Sequence, residues 1–572
     1  MQHDSSLEPH LNRVEPNGSS PEQQGSSAER YGSGPEQHGS NPEQHGAPGQ
    51  HDAQPEQHVA MAEPQPFPAE PQPQVAVPEQ LTLLVDSVAP LPIEGQPPRP
   101  RRIYCNRNLR LDHIQMIGFD MDYTLAIYKQ VELDRLSIEA TAKKLVQKGY
   151  PKSLLTMSYR THFPIRGLLV DKKLGNVLKT DRYRYVKKGF HGTRELTSEE
   201  RRHTYQQRPV RPDPRRFHSI DSLFALSEVT VFTAVVDELE RPFAHVDYAQ
   251  LFDDVRACID EAHRDGSIKE TIVTDLARYI EYDPDLGATL HKLRSAGKRL
   301  FLLTNSEPYY TDAVMNHLLR GEHGEYRSWK SYFDVVITSA MKPGFFMKSA
   351  PFEEVVQGAQ WHLHKVRELQ RGRIYLGGSQ AEFEKLTQVP GDRVLYVGDH
   401  IYGDVLRAKK QSAWRTLMII QELTDELTAM EKLSTEIARA DKLELRIAAL
   451  QDGLRERQSM QKAVQKLLDA GDATPERSVE LAAARLRLKR AVERIRLQAK
   501  AADAEHVALE REIEHAFHPY WGSALKAESE PSSFGEQVER YACLYTDRVT
   551  NLLGYTAGHY FRGPRHRMAH EP

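Results

Sequence analysis

Ile117-Gly-Phe-Asp-Met-Asp-Tyr-Thr124 decides how the rest of this chain is read. It closes the apolar run Ile114 to Phe119, which reads as a short buried strand, so its polar residues begin where that strand ends. In a parallel α/β sheet ligands sit outside the carboxyl ends of the strands. Asp120 and Asp122 would project into that crevice from one tight loop. Two carboxylates this close repel unless a cation or a shared proton separates them. Mg²⁺ meets that need, being a hard cation that prefers oxygen ligands and completes its shell with substrate phosphate and water. Taken alone, the same residues also read as an acidic loop capping a helix.

Further strands follow the same plan. Arg299-Leu-Phe-Leu-Leu-Thr304 comes after a helical stretch, Asp285 to Ala296, and a Gly297 stop. Phe333 to Thr338 and Arg393 to Gly398 repeat the layout, and Arg415 to Ile420 is a further strand. Strands alternating with helices imply a parallel sheet, so the fold class is α/β, with the core over 100–130 and 285–421. Residues 131–284 form an insertion between the first strand and the next. It reads as helix (Leu136 to Lys148), strand (Phe163 to Asp171), a turn at Leu174-Gly-Asn176, and helix again across 217–264. An insertion there acts as a cap over the crevice, excluding water and selecting substrate.

From 422 to 515 the composition shifts to Ala, Leu, Glu, Arg and Lys. Leu481, Leu488, Ile495, Ala502 and Leu509 recur at seven-residue spacing, a coiled-coil seam. Thr474-Pro475 reads as an N-cap followed by proline at the first helical position, giving two antiparallel helices in a hairpin arm. Residues 516–572 place Tyr541, Tyr545, Tyr555 and Tyr560 among apolar residues and should pack on the core, with a loose end. Residues 1–95, with repeats such as Pro35-Glu-Gln-His-Gly and Pro42-Glu-Gln-His-Gly, carry too little apolar surface to offset chain entropy and read as a disordered tail. Within it only Leu81 to Val85 could dock.

The chain has 572 residues, with 76 Lys and Arg against 80 Asp and Glu, a formal charge of −4. That balance argues against a dedicated nucleic-acid or membrane-surface protein. Cys105, Cys258 and Cys543 are far apart, which disfavours a disulfide framework or zinc site and fits a reducing cytoplasm. The N-terminus lacks the regions of a signal peptide, and no stretch approaches the ~20 apolar residues of a spanning helix. A cytoplasmic protein is expected.

Four polar sites fall at strand ends: Asp120/Asp122, Thr304-Asn305-Ser306, Lys342, and Asp399 with Asp404. Phosphate-ester hydrolysis calls for such parts. A carboxylate nucleophile divides the reaction into an aspartyl-phosphate step and a hydrolysis step. A second carboxyl protonates the leaving oxygen and then activates water. A hydroxyl and a lysine hold phosphoryl oxygens while Mg²⁺ and further carboxylates balance the charge.

These strings resemble the four motifs of haloacid-dehalogenase-type phosphohydrolases. More narrowly, Phe119-Asp-Met-Asp-Tyr-Thr-Leu-Ala, Arg166-Gly-Leu, Leu174-Gly-Asn, Gly398-Asp-His-Ile-Tyr-Gly-Asp404 and Trp414-Arg-Thr resemble the cytosolic purine 5′-nucleotidase group. The resemblance covers about 100–425 and 534–562, and it implies a Rossmann-like core with an inserted cap. It implies Asp120 as nucleophile and metal ligand, and Asp122 as general acid/base offering the metal its backbone carbonyl. It implies Thr304, Asn305, Ser306 and Lys342 at the phosphate, and Asp399 as metal ligand with Asp404 supporting. In the insertion it assigns Arg256, Asp260, His263 and Lys269 to nucleotide recognition. Residues 256, 260 and 263 share one helical face, where Arg256 and Asp260 could pair with each other or with base edges, and Phe224 could stack on a purine. An ordinary amphipathic helix is the plainer alternative.

A second family pocket, for activating nucleotides, maps to Arg211, Asp221, Tyr402, Lys410, Gln537, Arg540 and Tyr541. Asp221 and Tyr402 depart from the neutral amide and Phe expected there. The expectation is a Mg²⁺-dependent hydrolase of purine nucleoside monophosphates (IMP- or GMP-like), a homo-oligomer (dimer or tetramer), whose arm offers a surface to a further partner. Rival readings are a nucleoside phosphotransferase, a phosphatase of another phosphomonoester, and a non-catalytic coiled-coil interaction protein on the same core.

Overall fold

The computed structural model describes residues 97–564 except 206–207, 212, 242–244, 321–325, 356–362, 407 and 409–411. The tail with its repeats, the Leu81–Val85 segment, Lys410 and the final residues 565–572 lie outside the described residues.

The fully apolar runs become the centre of a ten-stranded sheet. Met116–Phe119 lies between Val394–Gly398 on one side and Arg299–Leu303 on the other. Beyond Arg299–Leu303 come Val335–Thr338 and Ile374–Gly377; beyond Val394–Gly398 come Arg415–Ile419 and Leu544–Thr546. All of these neighbours pair in parallel. Tyr104–Cys105 at one edge and Phe352–Val355 with Leu363–Lys365 at the other are antiparallel. Strands covered on both faces need apolar side chains throughout, and Ile117, Phe119, Leu302, Val397 and Leu417 are wholly buried. The chain departs from Met116–Phe119 first toward one edge and later toward the other. That strand therefore stands at the switch point, where a crevice opens beyond the strand ends. The strands are shorter than the sequence runs by one or two residues; Asp120 and Thr304 lie just past the ladder, whereas Thr338 is still paired within it.

The insertion leaves and rejoins the core through a two-stranded antiparallel ribbon, Ile127–Tyr128 with Ile280–Glu281, in which Tyr128 faces Ile280. Inside it a five-stranded antiparallel sheet (Leu169–Asp171, Asn176–Thr180, Val186–His191, Arg194–Glu195 and Phe217–Ser219) packs with helices Gln130–Gln147, Phe224–Leu239 and Tyr248–Arg264. The stretch expected to be helical across 217–264 is thus a strand and two helices. Asn176 opens a strand rather than closing a turn.

After Arg415–Ile419 a short helix, Leu423–Lys432, precedes two long ones, Ser434–Asp469 and Pro475–Phe517. Thr474 caps the second, its hydroxyl accepting from the Arg477 amide at 3.3 Å. Leu481, Ala502 and Leu509 are buried and Leu488 and Ile495 half-buried, so the seven-residue seam faces inward. The root of the arm is locked to the insertion: Lys179, a buried residue of the antiparallel sheet, donates to the carbonyls of Trp521 (2.6 Å) and Ser523 (2.7 Å). Among the described residues no helix is long and apolar enough to cross a membrane.

Candidate active site

Asp120 follows Met116–Phe119, and its amide donates to Val397 O of the neighbouring strand at 2.9 Å. Asp399 follows Val394–Gly398, and Asp404 lies one turn further on. The three carboxylates converge, each with an oxygen within 4.8 Å of the others. Gly398 permits this approach, since a Cβ there would sit 2.5 Å from the Asp404 carboxyl. Burial drives the Asp120 carboxyl well above the usual carboxylate range; Lys342 opposes the shift, and Asp404 and Asp122 add to it. Burial likewise pushes Asp399 up to about 8, with Arg166 opposing and Asp404 adding. Crowded carboxylates that resist ionisation are a donor set that fits a hard divalent cation.

Lys342, beyond Val335–Thr338, is no solvated side chain. Its ammonium lies 2.9 Å from Asp120 Oδ1, 2.7 Å from Asp404 Oδ1 and 2.9 Å from the Tyr396 hydroxyl. Burial disfavours its charge, but Asp120 and Asp404 hold its pKa above the ordinary lysine value. Asn305 fixes the loop: its Nδ2 donates to Lys342 O at 3.0 Å and its Oδ1 accepts from Lys342 N at 2.6 Å.

The Asp122 carboxyl turns away from the cluster. Its Oδ1 accepts from Tyr128 Oη at 2.6 Å, its Oδ2 from Ser306 Oγ at 2.7 Å and, more weakly, from Thr304 Oγ1 at 3.4 Å. Thr304 Oγ1 in turn accepts from the Ser306 amide at 3.1 Å.

In the insertion, Phe224 begins its helix with 37% of its surface exposed. It meets Tyr123 edge-on at 4.7 Å, and His263 at 6.0 Å. Arg256 does not pair with Asp260: its guanidinium lies 3.0 Å from the His218 ring, and Asp260 is exposed. The physical reason is a half-buried imidazole, pushed down to about 4 by burial and by Arg256, which stays neutral and can accept. Lys269 is engaged by Glu307 and lies 5.8 Å from the Tyr310 ring centre. Glu228, also facing Arg256 and Asp260, is pushed by burial up to about 7, and its Oε1 has no hydrogen-bond partner.

The second set is only partly brought together. Tyr402 Oη accepts from Gln537 Nε2 at 3.1 Å, and Tyr402 and Tyr541 pack in one apolar cluster with Phe534. Asp221 accepts from Ser219 Oγ at 2.7 Å and is pushed up to about 6 by burial. Arg540 lies over the Tyr541 ring at 5.5 Å, and Arg211 is exposed before the Phe217–Ser219 strand.

Three residues of the site escaped the sequence reading, and a fourth, Arg166, entered it only as part of a motif string without a role. Tyr396 stands in an otherwise aliphatic strand, a signal that could have been read; its hydroxyl donates to Leu303 O at 3.0 Å. Arg166 is wholly buried, donating to Asp399 O at 2.9 Å and pairing through its other nitrogens with Glu422. Tyr128 and Tyr310 carry no local signal, because their partners are set by the tertiary fold.

Three converging carboxylates, a buried lysine between two of them and a fourth carboxyl bound by hydroxyls thus meet at one sheet switch point. A family model described as the 5′ nucleotidase family matches residues 103–572, and the chain belongs to that family. It is a phosphohydrolase enzyme acting on nucleotides. A 5′-nucleotidase domain-containing protein of Dictyostelium discoideum is 28% identical over 483 residues, covering 82% of this chain and 75% of that protein. Among solved structures, CbbY of Rhodobacter sphaeroides in complex with phosphate is 14% identical with a TM-score of 0.21, covering 54% of this chain and 86% of that one. The L-2-haloacid dehalogenase of Xanthobacter autotrophicus is 13% identical with a TM-score of 0.21, covering 56% and 83%.

Proposed function

We propose that this enzyme is a Mg²⁺-dependent 5′-nucleotidase that hydrolyses purine nucleoside monophosphates, IMP- or GMP-like, to nucleoside and phosphate. The observation that carries this reading is the buried Lys342 ammonium held between Asp120 and Asp404. A cation held there supports seating a phosphoryl group in front of Asp120. Asp120 Oδ1 is held by the Met121 amide at 2.8 Å and by Lys342, and Oδ2 is the oxygen offered for attack. As the Asp120–phosphorus bond forms and the bond to O5′ breaks, Asp122 gives its proton to O5′. Asp122 then takes a proton from the water that attacks the aspartyl-phosphate, releasing phosphate and restoring Asp120. Thr304, Ser306 and Asn305 line the same strand ends, and Lys342 balances charge on the phosphoryl oxygens. Asp120, Asp399 and Asp404 would hold Mg²⁺, which when bound supplies charge neutralisation of those oxygens.

Phe224 with Arg256, Asp260 and His263 is the proposed base-reading face, and Lys269 with Glu307 borders it. Support comes from the line of contacts from Asp122 through Tyr128 to Phe224 and on to His263. The test is phosphate release from a panel of nucleoside monophosphates, each with Mg²⁺ and with chelator. Turnover should be greatest for a 6-oxopurine and should vanish on chelation. Equal rates on purine, pyrimidine and sugar phosphates would refute the purine assignment, and full activity in chelator would refute the metal.

A further inference from the structure

We infer that Tyr128, on the ribbon joining insertion to core, is a positioning residue that occupies one oxygen of Asp122 and so fixes the other as the proton donor to the leaving oxygen. The inference rests on the reading of Asp122 as general acid.

Tyr128 is buried, and its hydroxyl lies 2.6 Å from Asp122 Oδ1 and 2.8 Å from the Tyr310 hydroxyl. A phenol has one proton to give, and an ionised carboxylate only accepts. Tyr128 therefore donates to Asp122, and Tyr310 donates to Tyr128, a chain with a single direction. With Oδ1 occupied, Oδ2 is left beside Ser306 Oγ (2.7 Å) and Thr304 Oγ1 (3.4 Å). Those hydroxyls can rotate from donating to accepting, so Oδ2 can take up the proton without breaking the set. When the phosphorus–O5′ bond breaks, that proton passes from Oδ2 to O5′, and Asp122 is left as the carboxylate that Tyr128 already solvates.

Three parts of the molecule hold the Tyr128 hydroxyl. The ribbon pairs Tyr128 with Ile280, and the Lys129 amide donates to Tyr279 O at 2.8 Å. Tyr310 comes from the core helix Pro308–Leu318, which starts just after Ser306. The ring itself packs on Tyr123 (4.9 Å) and on Phe224 of the insertion (5.9 Å). A proton donor placed to within a few tenths of an ångström needs such support, because efficiency depends on hydrogen-bond geometry.

Tyr128→Phe removes one oxygen and keeps the ring. Proton donation matters greatly for an alkoxide leaving group such as O5′ and little for a nitrophenolate, which departs as an anion. The experiment measures kcat and KM at saturating Mg²⁺ for inosine 5′-monophosphate and for p-nitrophenyl phosphate, in wild type, Tyr128→Phe, Tyr310→Phe and Asp122→Asn. The expected result for Tyr128→Phe is a fall in kcat of about tenfold or more on the nucleotide, with KM nearly unchanged and a much smaller fall on the aryl ester. Tyr310→Phe should show the same pattern more weakly, and Asp122→Asn more strongly. Equal falls on both esters, or none, in a folded Tyr128→Phe would overturn the inference while a leaving-group-sensitive Asp122→Asn kept the parent reading intact. An Asp122→Asn enzyme that treats both esters alike would overturn the parent reading and this one with it. If Tyr128→Phe does not fold, Tyr310→Phe carries the comparison, with the same results counting for and against.

Discussion

Replacing Asp399 by Asn should make the protein more stable at neutral pH in the absence of divalent cation, and the gain should depend on pH. Asp399 is 4% exposed, and its carboxyl is raised from an ordinary 3.8 to about 8. Between those values the native chain holds a proton that the unfolded chain has released, so stability falls as pH rises. Below pH 4 the contribution is fully present, and it is lost as pH rises through about 8. The slope for one such group is about 1.4 kcal/mol per pH unit, so wild type loses roughly 2–3 kcal/mol from this carboxyl between pH 5 and 7. Asn cannot ionise and does not lose it, while Asp120 still titrates in both proteins. Urea unfolding at pH 5, 6 and 7 in chelator should show the mutant gaining on wild type by that amount. Mg²⁺ should flatten the wild-type profile, because a cation binds the ionised form, and should leave Asp399→Asn little changed. Parallel profiles for the two proteins in chelator would refute the argument that Asp399 is buried against its charge.

Asp120→Asn should abolish phosphate release without lowering the urea midpoint, since it removes the attacking oxygen at constant volume; residual turnover above a hundredth of wild type would contradict the nucleophile assignment. Lys342→Met keeps the side-chain length and removes the charge that faces the phosphoryl group, so kcat should fall by about 10²–10³, read by steady-state phosphate release. Asp260→Ala should lower kcat/KM for IMP or GMP relative to p-nitrophenyl phosphate, because a hydrogen-bonding site loses discrimination when a partner is removed; an unchanged ratio would make the Tyr248–Arg264 helix structural only.

The centre of the parallel core was legible because Met116–Phe119, Arg299–Leu303 and Val394–Gly398 are largely apolar runs followed by a polar residue, a pattern that survives without knowledge of partners, whereas Ile374–Gly377 and Leu544–Thr546 drew no strand expectation. For the same reason Asp120, Thr304 and Asp399 could be placed at strand ends from the sequence. The insertion was less legible. Phe217–Ser219 is too short to show a period, and the sheet it joins is assembled from strands that alternate only weakly. Of the two partners open to Arg256, Asp260 or a base edge, neither is the one it meets in the structure, because helical spacing tells which residues share a face and not what the facing strand offers; His218 comes from another element. Tyr128 and Tyr310 lie 182 residues apart yet share a hydrogen bond. Nothing in either neighbourhood announces such a meeting.

The helical hairpin has a consequence for how the sheet is assembled. Arg415–Ile419 and Leu544–Thr546 are adjacent parallel strands, with Leu417 opposite Leu544, yet roughly 120 residues of chain separate them. Closing a loop of that size by diffusion alone is slow. The helices Ser434–Asp469 and Pro475–Phe517 run out and back, so zipping them from the Thr474 turn carries their ends together using contacts local in sequence. That shortens the effective loop to roughly 40 residues and saves on the order of 1 kcal/mol of closure entropy. The hairpin thus returns the chain close to where it left, within reach of the place Leu544–Thr546 takes in the sheet.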